Sequence, residues 1–238
     1  MVRPAMTTLR YRNALRALLT PAETRLFKRL DTPQKIQDFL DKVPANFELD
    51  GDTVLSPRRL LKARLAHCAE AALFGAAVLA FHGKPCWLMD LRALPSDQDH
   101  IVTLFKERGL WGAISKTNHA ILRWRDPIYK SARELAMSYP HEYCLPGGKK
   151  SMLEYSRPFS LARYAPARWV VADDDLHWLM DKLDEAPHVP VAPPAAMRRR
   201  RRSPKVELLA QEVLEWPDPR KPKAKRKVNR KRKSKARR

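Results

Sequence analysis

The chain reads as an α+β domain in which helices come first and an antiparallel sheet follows, and three features of the sequence carry that reading. The first third holds amphipathic segments that start on proline. The stretch HCAEAALFGAAVLAFHG (67–83) has almost no charge and is apolar on every face, as a helix buried on most sides must be. From residue 86 the pattern turns into short runs rich in β-branched and aromatic residues, separated by polar turns. Helices in one block and strands in the next, without alternation, mark an α+β domain with its central helix packed on the sheet.

Taken in order, residues 7–30 predict two short helices, with Thr20 as cap and Pro21 at the first position of the second, where proline loses only an N–H that has no partner anyway. Thr32-Pro33 opens a third helix, in which Ile36, Phe39, Leu40 and Val43 share one face. PRRLLKARLA (57–66) predicts another short helix. The apolar helix then runs to Phe81 and stops at Gly83-Lys84-Pro85. Strands are expected at 86–92, 100–105, 110–115 and 119–124, with a hairpin bend at Arg108-Gly109. A helix at 132–139 precedes the Gly147-Gly148 turn. A last strand at 169–172 leads into DDDLHWLMDKLDEA (173–186), whose acidic start suits a helix N-terminus.

The formal charge of +21 is concentrated at one end: residues 198–238 hold 19 Lys+Arg against 4 Asp+Glu. The expected organisation is an N-terminal helical segment (1–31), the main domain (32–186), a Pro/Arg-rich linker (187–202), a short amphipathic helix (203–217) and a disordered basic tail (218–238). Val206, Leu209, Val213 and Trp216, spaced three, four and three, form an apolar face suited to a partner's groove. The basic end suits contact with nucleic acid or another polyanion through counterion release, as a location device. Three cysteines without CxxC spacing argue against disulfides and zinc knuckles, and no stretch reaches the ~20 apolar residues of a membrane span, so a reducing, cytoplasmic setting is expected.

Cys68 opens the apolar helix, where unpaired N–H groups and a partial positive charge favour the thiolate. His100 opens a strand 32 residues later, close enough in the chain to return to the helix start as general base. A nucleophile and base of this kind serve acyl transfer, and the orienting third group must come from the following strands.

The run HCAEAALFGAAVLAFHGKPCWLMDL, followed by DQDHIVTLF, GLWGAIS and RDPIY, resembles the bacterial transglutaminase-like cysteine peptidases, which have papain-like folds, over residues 32–165. The resemblance implies a papain/transglutaminase-like core and thiol chemistry on a peptide or protein amide, with Cys68 as nucleophile and His100 as base and no cofactor. In the family pattern the third residue is an Asp near the end of the strand after the histidine strand, commonly followed by Pro. Asp126, before Pro127, matches by type but comes one strand late, whereas a hairpin near Arg108 sets His100 opposite residues near Ser115–Lys116, with Asn118 the nearest acceptor. Asp126 and Asn118 are the two candidates. A non-enzymatic adaptor that uses the same scaffold and the basic tail is the alternative reading.

The remaining polar groups read as structural. Glu70 is expected as an exposed carboxylate, His67 as a surface residue at the helix cap, His119 as a sheet residue, and Cys86 and Cys144 as core or near-core thiols. No Cys/His set has metal-ligand spacing, and no cluster of acidic oxygens is apparent along the sequence.

Overall fold

A computed structural model describes residues 8–220. Helices α1 (Thr8–Leu18), α2 (Pro21–Arg29), α3 (Pro33–Asp41) and α4 (Pro57–Ala63) gather around α5 (Cys68–Phe81). The starts follow the sequence logic: Thr20, Thr32 and Ser56 each accept a first-turn N–H, and each is followed by proline. Every residue of α5 from Ala69 to Phe81 is buried. Phe27 packs edge-on against Phe74 and Phe81, at 5.6 and 5.7 Å between ring centres, and Phe39 stacks on Phe74 at 5.1 Å. Tyr11, Leu15 and Phe27 therefore belong to the same core as α5, and the expected N-terminal segment is continuous with the main domain.

Strands β1 (Trp87–Arg92), β2 (His100–Glu107), β3 (Leu110–Ile114) and β4 (Arg125–Tyr129) are followed by α6 (Ala132–Ala136), β5 (Glu154–Ser156), β6 (Phe159–Ser160), α7 (His177–Asp184), β7 (His188–Pro190), α8 (Pro194–Arg198) and α9 (Lys205–Gln211). The sheet runs β4-β3-β2-β1-β5-β7, with β6 also beside β1, and every pairing is antiparallel. Arg108 and Gly109, both at positive φ, make the two-residue turn that sets Glu107 opposite Leu110 and Thr103 opposite Ile114. Alternation along β1 and β2 sends Leu88 and Phe105 to the α5 core, and Met89, Leu91, Val102 and Leu104 to a second core with Leu135, Tyr139 and Tyr143. Among the described residues no helix is long and apolar enough to cross a membrane.

Several expected elements are displaced. Residues 119–124 form a loop, and the strand lies at Arg125–Tyr129. The expected strand at 169–172 is absent: Trp169 is a fully buried anchor whose Nε1 donates to the Tyr11 hydroxyl at 2.9 Å, so its aromatic character served the core. The expected linker contains β7 and α8. β7 adds to β5 as an edge strand, a position where Pro190 deprives the ladder of nothing. Helix α9 ends at Gln211, short of residue 217, and the chain then lies along residues 118–120, through Ala120 N–H to the Val213 carbonyl (3.1 Å) and Glu215 N–H to the Asn118 carbonyl (2.9 Å). Most of the expected basic tail, residues 221–238, lies outside the described residues.

Helix α5 meets the sheet at Gly75, where an added Cβ would stand 2.8 Å from Thr103 Oγ1, itself hydrogen-bonded to the Ala72 carbonyl at 2.6 Å. Gly75→Ala is therefore expected to destabilise the domain by about 1–3 kcal/mol despite alanine's better helix propensity, as read from urea unfolding midpoints.

Candidate active site

Cys68 is the first residue of the 14-residue α5, and His67 is its cap. One carboxylate holds that helix start in place. Glu70 is fully buried and accepts from His67 N–H (2.9 Å), Leu55 N–H (3.1 Å), Thr53 Oγ1–H (2.9 Å) and Asn46 Nδ2 (3.1 and 3.2 Å). The expectation of an exposed Glu70 is thus corrected. It closes a capping box with His67 and ties the 46–55 loop to the helix start. A histidine as cap, in place of the usual serine or threonine, hid that box from sequence reasoning.

The imidazoles of His100 and His67 both act on the Cys68 thiol. Burial alone would push the thiol up, but hydrogen bonds from His100 and then His67, together with their charges, hold it well below the ordinary thiol range. For His67, burial lowers the imidazole, but the thiolate and Glu70 outweigh it and raise the ring to about 10. Its Nε2 lies 2.8 Å from the Thr53 carbonyl, which leaves Nδ1 for both the Ala69 N–H (3.2 Å) and the thiol. Charging the ring exchanges that long cap bond for a donor to sulfur. Sequence reading placed His67 at the helix cap but assigned it no chemistry; its adjacency to Cys68 was the available signal.

His100 is buried at the start of β2, and its Nε2 lies 2.7 Å from Ser115 Oγ. The Ser115 hydroxyl gives its own proton to the Leu122 carbonyl, so toward His100 it offers a lone pair. Nε2 therefore carries the hydrogen, and Nδ1 is the nitrogen left for Cys68. Ser115 is fixed in turn by Gln37 of α3, which spans its backbone: Ser115 N–H donates to Gln37 Oε1 (2.9 Å) and Gln37 Nε2 donates to the Ser115 carbonyl (2.8 Å). Beyond it, Leu122 N–H donates to Glu142, whose other oxygen takes Arg125 at 2.6 Å.

The structure joins Cys68 to His100 and brings neither expected third residue to the histidine. Asp126 is exposed and accepts from Trp124 Nε1 at 2.8 Å. Asn118 pairs through both ends of its amide with the Trp216 backbone, at 2.8 and 2.9 Å. The residue facing His100 comes from the end of the adjacent strand, where the hairpin register leads, and it is a hydroxyl in place of an acid. Of the other expectations, Cys86 is a buried thiol and Cys144 a half-buried one against Ser203 Oγ, while His119 sits in a loop against the Gln211 carbonyl.

No family model matches the chain, and no curated protein matches it. Among solved structures, Legionella pneumophila LapG (EGTA-treated) aligns over 47% of this chain and 72% of its own at 15% identity, with a TM-score of 0.31, a likeness too slight to support a conclusion.

Two outcomes are expected. Alkylation of Cys68 by iodoacetamide, followed by peptide mass mapping, keeps most of its rate as pH falls from about 8 to about 6, because a depressed thiol remains thiolate there. Cys86, pushed up by burial to about 11, stays unmodified over the same range. Glu70→Ala strands four buried or half-buried donors and lowers unfolding free energy by more than about 3 kcal/mol in urea titrations.

Proposed function

We propose that the chain is a thiol-dependent hydrolase or acyltransferase acting on amide bonds, with a papain-like, transglutaminase-like core, Cys68 as nucleophile, His100 as general base and acid, and Ser115 orienting the imidazole. The observation that carries the reading is one thiol at a helix N-terminus, held as thiolate by a histidine whose far nitrogen is already committed. In this reading the Cys68 thiolate attacks the carbonyl carbon, and the N–H of Cys68, one of the first-turn donors with no intrahelical partner, faces the developing oxyanion. The carbon–nitrogen bond breaks as His100 gives its proton to the leaving amine, leaving a thioester. Water or a second amine then enters, His100 takes its proton, and the thiolate departs. His67 adds a second positive group beside the sulfur, and so compensates in part for the missing carboxylate on His100.

The test is incubation with a peptide library read by mass spectrometry, which separates new termini (hydrolysis), glutamine converted to glutamate (deamidation) and incorporated methylamine (acyl transfer). Cys68→Ala and His100→Ala are expected to remove turnover, by at least about 10³-fold. Ser115→Ala lowers kcat about 10- to 100-fold with little change in KM, while Asp126→Ala and Asn118→Ala keep more than about half of it. Turnover unchanged in Cys68→Ala overturns the proposal.

The adaptor reading draws on a different observation: Val206, Leu209 and Val213 are exposed, at 72%, 49% and 57%, beside the basic run at 198–202. Trp216, by contrast, is folded back onto Asn118. If that reading holds, removal of residues 198–238 abolishes salt-dependent binding to a polyanion such as heparin, and Cys68→Ala leaves that binding intact.

A further inference from the structure

Leu122 stands at φ 57°, in the left-handed region, where a bulky side chain is strained and stays only if its surroundings hold it. Both of its peptide groups are in use at the candidate site. Its N–H donates to a Glu142 oxygen, and its carbonyl takes the proton of the Ser115 hydroxyl. Relaxation of φ to negative values turns that carbonyl relative to the N–H, so the two bonds do not both survive it. The direction in which the Ser115 proton points therefore depends on whatever keeps Leu122 in its strained conformation.

The hold comes from a C-terminal strap, residues 211–216. Just before Leu122, Ala120 N–H donates to the Val213 carbonyl (3.1 Å), Glu215 N–H to the Asn118 carbonyl (2.9 Å) and Trp216 N–H to Asn118 Oδ1 (2.8 Å). Just after it, Arg123 pairs with the Glu215 carboxylate. Opposite it, Gln211 Nε2 donates to the carbonyl of Glu142 at 3.0 Å, the residue whose carboxylate takes the Leu122 N–H. The strap is leashed in turn where Ser203 N–H donates to the Gly148 carbonyl at 2.9 Å. Gly148 lies at φ 83°, and a Cβ there would stand 2.4 Å from the Ser203 carbonyl oxygen, so only glycine admits the contact.

We propose that the strap is a positioning element for His100: by holding Leu122 in place it keeps the Ser115 proton on the Leu122 carbonyl and so keeps the ring hydrogen of His100 on Nε2. The role of His100 as base rests on the thiol reading above. With Leu122 relaxed, the Ser115 hydroxyl is free to turn and donate to Nε2. The proton that Nε2 carried passes to solvent, and the ring is neutral with its hydrogen on Nδ1. In that state Nδ1 takes no proton from the thiol, and one of the two positive groups beside the sulfur is lost. His67, Glu70 and Tyr143, the other titratable groups that act on the sulfur or on its partner imidazole, keep their places, because the strap touches none of them. The loss of the Asn118 amide alone leaves the backbone pairs of the strap intact, which is why Asn118→Ala is mild.

The test uses the full-length double variant Glu215→Pro/Trp216→Pro, which removes both strap N–H donors to Asn118 and sets a ring against the Asn118 carbonyl. The pH midpoint of Cys68 alkylation by iodoacetamide is expected to rise by at least about 1, and kcat on an amide substrate to fall about 10- to 100-fold with KM within about twofold. In a Ser115→Ala background the same pair of prolines changes midpoint and kcat by less than about twofold more, because the strap acts through that hydroxyl. Glu215→Ala, which keeps the N–H and loses only the ion pair, stays within about threefold of the wild type. Should the proline variant fail to fold, Gln211→Ala/Asn118→Ala removes side-chain contacts only and raises the midpoint by about 0.5. Alkylation needs no substrate, so a wild type without turnover defeats the amide reading and leaves this readout standing. An unchanged midpoint in a folded strap variant, or effects of strap loss and Ser115→Ala that simply multiply, overturns the proposal.

Discussion

The arrangement of the candidate site depends on the buried Glu70 carboxylate. A helix whose every residue past the first is buried has its orphan N-terminal donors buried too, and they must be matched. Glu70 matches the cap end of α5 and at the same time takes donors from Asn46, Thr53 and Leu55, so the loop that closes over the helix start is fixed by the group that fixes the helix. Its negative charge also adds to the rise of the His67 imidazole, which burial opposes and the Cys68 thiolate drives most, and so helps keep a positive group beside the sulfur. Packing of α5 and the electrostatics of the thiol are one problem with one solution.

The other half of the site is organised from the sheet. Ser115 meets His100 because the Arg108-Gly109 turn sets the register of β2 and β3, and it stays there because Gln37 clamps its backbone and the Leu122 carbonyl accepts from its hydroxyl. A neutral hydroxyl stabilises an imidazolium less than a carboxylate does. In the proposed chemistry the charge balance is therefore shared around the sulfur, with one imidazole from the cap and one from the strand, and is not supplied from behind the base. The loop that carries Leu122 is itself held from two sides, by Glu142 and by the C-terminal strap, where Val213, Glu215 and Trp216 pair with residues 118–120. The same strap engages Asn118, which is why that amide is unavailable to His100.

Legibility in the sequence followed the range of the interactions. The proline-led helix starts at Pro21, Pro33 and Pro57, the all-apolar α5 and the Arg108-Gly109 turn are local and stand where their signals put them, whereas α7 starts at His177, past the acidic run at 173–175 that was expected to open it. Short strands such as β5 and β7 carry no such mark, because two or three residues form a strand only when a neighbour supplies the ladder. Trp169 looked strand-like by residue type, but the core claimed it. Cys68 and His100 were visible as a pair because a helix start and a strand start announce themselves locally.

By itself the sequence determined the block of helices before the block of strands, the buried central helix, and a thiol at the first residue of that helix. Only the tertiary structure decided which side chain faces His100, and that Glu70 lies inside and His67 beside the sulfur. Those outcomes depend on strand register and on contacts such as Ser115 with His100 and Leu55 with Glu70, each across 15 residues of chain, which composition and periodicity do not encode. The physical reason is that an isolated carboxylate, hydroxyl or imidazole reads as a surface group until packing removes its water, and only then do its partners fix what it is.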